Sequence, residues 1–202
     1  MLDRLRATFV LLLFVPLLAW TAEIEVVAPQ LTLGDEGYVL SADFRFELNP
    51  RLEEAVSRGV VLYFVTEFEL TRDRWYWLDE KVASRTQTHR LSYHALTRQY
   101  RLSTGGLHQS FDSLAAALQV LARVRNWLVI DKPDKSDKSD KAGRTIAPGE
   151  GYNAAVRLYL DISQLPRPFQ ISALGNKEWT LASDWKRWPA SQLPPASSGE
   201  AK

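Results

Sequence analysis

Cysteine is absent from the 202 residues. That removes disulfides, thiolate metal sites, thiol nucleophiles and redox pairs, and it leaves a domain of this size dependent on its core. Net charge is almost absent as well, at +1 near neutral pH, with Lys and Arg spread along the chain. This balance excludes a strongly basic nucleic-acid surface and an acidic solvating tail, so no nucleic-acid partner is expected. There is no glycine-rich phosphate loop, no G-x-S-x-G elbow and no H-E-x-x-H helix. His89, His94 and His108 form no H-x-H pair and lack evident carboxylate neighbours, so neither a metal nor a cofactor is expected. A membrane-length apolar run is also missing. The longest, Ala7 to Trp20, spans roughly 21 Å as a helix against roughly 30 Å of hydrocarbon.

What that run does fit is a signal peptide. Arg4 and Arg6 precede it, and Pro16 breaks it near its end. The cleavage context is poor, since Trp20 or Leu17 occupies the position three residues before a cut at Ala22 or Ala19. The expectation is a signal peptide over 1–22, or a retained inner-membrane anchor over 7–20. In either case the rest of the chain is exported to the periplasm.

Beyond it, period-two patterning dominates. Glu23 to Leu33 reads as a strand, and GDEG at 34–37 as a turn. In YVLSADFRFEL, Tyr38, Leu40, Ala42, Phe44, Phe46 and Leu48 share one parity against polar neighbours, which places one face on a core. Asn49 as N-cap, Pro50 at the first position and Gly59 past the end bound a helix whose apolar residues are Leu52, Ala55 and Val56. Val60 to Thr71 reads as a strand, central at its start and nearer an edge at its end. Strand character continues from Trp75 to Arg85 and from Arg90 to Ser103, with a hairpin turn near 95–97. Phe111, Leu114, Ala115, Leu118, Leu121 and Ala122 mark a second amphipathic helix from about Asp112. Asn126 to Ile130 reads as a short strand. YNAAVRLYLDIS alternates from Tyr152 to Ile162, and FQISAL at 169–174 reads as a last strand. The mixed-charge tract at 131–149 reads as a mobile loop and 191–202 as a disordered tail. One domain is expected over 23–190, mainly β with two short helices. It forms an antiparallel sandwich or a curved antiparallel sheet, because no strand–helix–strand rhythm repeats.

The stretch RDRWYWLDEK has aromatic or apolar residues on both parities. A strand buried on both faces accounts for that better than an exposed platform, though a cleft lined by Trp75 and Trp77 with Arg74 at its rim is the alternative. Around the expected hairpin, Tyr93, His94, Thr97, Arg98 and Tyr100 either surround a pocket or simply make a turn with Arg90, Arg98 and Arg101 in solvent. Trp185 and Trp188, three apart, would share one face of a turn or short helix. That face either clamps the end of the sheet or contacts a partner or membrane interface. The acidic pairs Glu67/Glu69 and Asp79/Glu80 look solvated, without the split environments that acid–base catalysis needs.

The ordered series FELNPRLEEAVSRGVVLYFVTEFEL, RWYWLDEK, RLSYHALTRQYRLS, YNAAVRLYLDISQLPRPFQISAL and the closing W-x-L-x-S-x-W of Trp179, Leu181, Ser183 and Trp185 resembles the exported proteobacterial proteins grouped as domain of unknown function 4390. The resemblance covers about 24 to 188, with the mixed-charge tract as an insertion. It implies no activity and carries over no catalytic residue. It does imply a genomic neighbourhood containing a membrane sensor histidine kinase, which suggests an envelope or membrane protein as partner. The expected function is therefore a non-enzymatic periplasmic interaction or sensing module. The alternative is a carrier of a small apolar or aromatic ligand near Trp75, Trp77 and Tyr93; a hydrolase using His94 or His108 ranks below both. The candidate surface comprises Arg74, Trp75, Trp77, Tyr93, His94, Arg98, Trp185 and Trp188. Oligomeric state has no sequence signature.

Overall fold

The computed structural model describes residues 23–72, 79–132, 151–173 and 175–190. The signal-peptide and anchor expectations for 1–22, most of the mixed-charge loop, the tail, and Arg74, Trp75 and Trp77 lie outside those residues.

Two antiparallel sheets form a β-rich α+β fold. One has three strands in the order β1 (Glu25–Leu33), β2 (Gly37–Arg45) and β7 (Arg123–Asp131). The other has six, in the order β6 (Leu107–Phe111), β5 (Gln99–Thr104), β4 (Glu80–His94), β3 (Leu62–Arg72), β8 (Tyr152–Leu160) and β9 (Lys186–Pro189). The alternation read in β2 and β8 becomes the shared interior: Tyr38, Leu40, Ala42 and Phe44 from one sheet, and Tyr152, Ala154, Val156, Leu158 and Leu160 from the other, belong to one buried cluster. β2 stops at Arg45, but Leu48 still turns inward. Gly37 starts β2 with φ +150°, and a side chain there would place its Cβ 2.0 Å from the Ile130 carbonyl oxygen, so the close β2–β7 pairing requires glycine.

The first helix, α1 (Pro50–Ser57), forms as its caps dictate. Asn49 Oδ1 accepts from the Leu52 N–H at 3.0 Å, Gly59 follows at φ +90°, and Leu52, Ala55 and Val56 are buried. The second, α2 (Leu114–Leu121), starts one residue past its Ser113 N-cap. Its buried side is centred on Ala117 and Leu121, and Ala115 faces solvent, rotating the expected stripe.

Several expectations are corrected. Among the described residues there are three helices, not two, because α3 (Arg167–Ala173) takes in Phe169 to Ala173 of the FQISAL segment expected as a strand. Pro166 and Pro168 account for this: proline is tolerated in the first turn, where its missing N–H is not needed. The Pro166 carbonyl accepts from the N–H groups of Phe169 and Gln170. The last strand is instead β9. β3 does not drift to an edge; Arg72 still pairs with Glu80 on one side and Tyr152 on the other. Its alternating end reflects a sheet with one solvated face. The strand at 126–130 begins earlier, at Arg123.

The closing W-x-L-x-S tract seals the gap between the sheets. Trp179, Leu181 and Ser183 are buried, and the Ala182 carbonyl accepts from the Ile24 N–H. The Leu158 N–H donates to Ser183 Oγ at 3.0 Å and the Leu160 N–H to the Leu181 carbonyl at 2.8 Å. Among the described residues no helix is long and apolar enough to cross a membrane.

Candidate functional site

The six-stranded sheet turns one face to the core; among the described residues the other is partly exposed, with Val65 and Ala155 still buried on it. Strand register sorts the side chains. Phe64, Thr66, Phe68 and Leu70 point inward, so Glu67 and Glu69 point out. Two constellations occupy the outer face.

The first lies on β3, β8 and the run into β9. Glu67 accepts from Arg157 Nε at 2.7 Å and from the Tyr159 hydroxyl at 2.9 Å. The Arg157 guanidinium sits over both aromatic rings, 4.9 Å from the centroid of Tyr159 and 4.6 Å from that of Trp185. Burial, followed by the hydrogen bond to Glu67, raises the Tyr159 phenol above its ordinary pKa. Lys81 pairs with Glu69 beside it. Every charge in this group has its partner, so it works as an outer-face staple. Trp185 belongs to it and Trp188 does not. Trp188 pairs with Ala154 and packs on the core, because the segment is a strand and residues three apart fall on opposite faces. The expected common face for the two indoles is corrected accordingly.

The second constellation comes from two consecutive hairpins. Residues 95–98 turn β4 into β5, with Arg98 at φ +55° and exposed, and Gly105–Gly106 turns β5 into β6. The resulting pairs are Arg90 with Ser103, Ser92 with Arg101, and Ser103 with His108. One parity therefore sends Arg90, Ser92 and His94 of β4, Arg101 and Ser103 of β5, and His108 of β6 to one side. They line an open cleft of about 330 Å³, whose wall also includes Gly59 and Val61 at the α1–β3 connection. His94 Nδ1 lies 3.2 Å from Thr97 Oγ1, which fixes the ring at the rim.

Of the residues expected here, Tyr93 and His94 line the cleft. Arg98 stays in the turn and Thr97 acts only through His94. Tyr93 packs against Tyr100 in a tilted ring contact at 4.9 Å, and the Tyr100 hydroxyl meets Ser57 Oγ at 3.1 Å. Arg90, Ser92, Arg101, Ser103 and His108 were not anticipated as a group. Two guanidiniums, hydroxyls and two imidazoles make up the polar lining, and among the described residues no carboxylate lines it to orient a histidine as a base, so the arrangement suits anion binding better than nucleophilic catalysis. Among the described residues no three His, Asp or Glu side chains are placed to hold a metal ion.

A family model described as a domain of unknown function (DUF4390) matches residues 21–189, and the chain belongs to that family. No curated protein and no solved structure matches it.

Proposed function

We propose that this member of the DUF4390 family is a non-enzymatic interaction module of the cell envelope, and that an envelope or membrane partner adds an extended segment to strand β6. Export is inferred from the charged start and short apolar run of the sequence. The observation that carries the docking mode is the contrast between β6 and the other sheet edges. Edge strands are normally blunted by short length, Lys, Pro or bulges, because unpaired N–H and C=O groups template further pairing. β9 is KRWP, four residues with a lysine and a proline. β1 carries Pro29 and a register shift between Val27 and Gln30, and β7 pairs with β2 through two shifts. β6, LHQSF, is five residues long but carries no Lys, Pro or bulge and pairs regularly with β5 along its whole length. Leu107, at the start of β6, is 80% exposed, and Leu96, in the turn at the opposite end of β5, is 92% exposed; an exposed apolar side chain on the edge strand is a contact of the kind that accompanies strand addition.

A two-residue turn makes Thr104 and Leu107 the closing pair, so antiparallel alternation aims the backbone groups of His108 and Ser110 outward. Ser110→Pro therefore removes an outward N–H without removing a β5–β6 bond. A photo-crosslinker at Leu107 should give a discrete adduct in cells that disappears with Ser110→Pro at unchanged melting temperature. An adduct of equal yield in the proline variant, or no adduct, refutes strand addition. The apolar-ligand reading leans on Trp75 and Trp77, outside the described residues, and the cleft that contains Tyr93 has a different chemistry.

A further inference from the structure

We propose that the outer-face cleft on β4, β5 and β6 binds a phosphate-type anion carried by a small molecule. The inference is independent of the β6 docking mode. It starts from two arginines that share a face without a counter-charge. Arg90 pairs with Ser103 and Arg101 with Ser92, so the two guanidinium-bearing positions are diagonal neighbours across one strand pair, about 7–8 Å apart at the backbone by ordinary sheet geometry. Like charges so placed repel, and the loss is recovered when an anion sits between them.

Five other sheet arginines are neutralised by carboxylates, while among the described residues Arg123 and Arg187 stand singly on other strands. Arg157 has Glu67, Arg72 has Glu80 and Arg85 has Asp131. Arg90 and Arg101 have no carboxylate and no hydrogen-bond acceptor among the described residues. Arg101 goes further, since its Nε is shielded from solvent and meets no acceptor. A buried charged donor without a partner is costly, and a bound anion is what would satisfy it.

The donor set selects the ligand class. Two forked guanidiniums, the hydroxyls of Ser92 and Ser103, and the imidazoles of His94 and His108 converge from three strands. A carboxylate offers two oxygens and one charge, which one arginine fork already satisfies. A phosphate monoester offers three free oxygens and nearly two charges, which matches two arginines with hydroxyls to spare. The volume of about 330 Å³ exceeds a bare phosphate, leaving room for a compact organic group.

Titration calorimetry of the full chain with inorganic phosphate and with glycerol 3-phosphate, at ionic strength held constant with NaCl, tests this directly. Saturable binding is expected for both, tighter for the ester, and weakened about tenfold or more by Arg101→Gln, the scale of losing one charge-assisted contact. Arg90→Lys, at an exposed position where folding is not at stake, should weaken binding by a smaller factor, because it keeps the charge and loses the fork. Phosphatidic acid vesicles form a second arm. If vesicles bind, the soluble ligands do not, and Arg90→Lys weakens the vesicle interaction, the same anion chemistry comes from a lipid headgroup. The site is refuted if neither arm saturates, if NaCl alone reproduces the heat, or if Arg90→Lys and Arg101→Gln bind like the parent.

Discussion

Replacing Thr66 by valine should make the protein more stable. Thr66 lies at the middle of β3, paired with Gln87 on one side and Leu158 on the other, and only 1% of its surface is exposed. Its side chain points to the core with Phe64 and Phe68, and Oγ1 meets no hydrogen-bond partner. An unmatched buried hydroxyl costs about 1–3 kcal/mol, and a methyl in its place gains roughly the 0.8 kcal/mol of a buried CH₂-sized group. Valine has nearly the same shape and favours strands, so the backbone should not move. Allowing for imperfect repacking, the expected gain is about 1–2 kcal/mol. In a domain of this size each kcal/mol corresponds to about 2–4 °C in melting temperature. Urea unfolding monitored by tryptophan fluorescence should show a higher midpoint at unchanged slope. A loss of about 1 kcal/mol or more would refute the reasoning, because it would mean the hydroxyl is bonded in solution. The most direct way for that to happen is a water shared with His89, whose buried Nδ1 also lacks a partner and which lies diagonally across from Thr66 on β4. A double-mutant cycle with His89→Leu decides: coupling below about 0.5 kcal/mol means two separate orphans, and coupling near 1 kcal/mol means a bridge.

Two further outcomes follow from the same interior and from the outer-face staple. Burial lowers the His89 pKa, so the folded state resists protonating it while the unfolded chain takes the proton near the ordinary value of about 6.5. This contribution to stability is full above that value and declines as pH falls from about 6.5 toward the lowered folded pKa. His89→Leu should flatten that part of the urea-midpoint profile between pH 8 and pH 5, and parallel profiles would contradict the assignment. Arg157→Ala removes the charge-assisted bonds to Glu67 and two ring contacts together, and should cost about 2 kcal/mol by equilibrium unfolding. Glu67→Gln, which keeps the acceptor for Tyr159, should cost less. The reverse order would mean that the carboxylate and not the arginine organises the staple.

Much of the fold is legible because its interior obeys one rule. Tyr38 to Phe44 alternates without error, and Tyr152 to Leu160 does so except at Ala155, which is buried although it shares the outward parity. The caps of α1 are equally local: Asn49, Pro50 and Gly59 act within one turn of the chain. Failure begins where the span is too short for a period to show. FQISAL has six residues, and its apolar positions suit a strand or a helix about equally, so the prolines before it decide. Trp185 and Trp188 fail for a related reason, since their spacing has meaning only once the element is known. Thr66 and His89 differ again: strand parity places them with their apolar neighbours Phe64, Phe68 and Leu91, but that neither polar side chain meets a partner there shows only in the folded core.

The cleft is the most instructive case, because the information needed to find it was present. The turn at 95–97 is legible, and nearness in sequence groups Tyr93, His94, Thr97, Arg98 and Tyr100 around it. A hairpin does not preserve that kind of nearness. It pairs positions equidistant from its turn, so Arg90 belongs with Ser103 and Ser92 with Arg101, and alternation separates each from its immediate neighbours. The same parity explains why the cationic face is held so firmly. Leu102 is buried opposite Leu91, between Arg101 and Ser103. Slipping β5 by one residue to relieve the two arginines would turn Leu102 to water and carry Arg101 and Ser103 into the core. The apolar face thus fixes the register, and the register forces Arg90 and Arg101 together whether or not an anion is present.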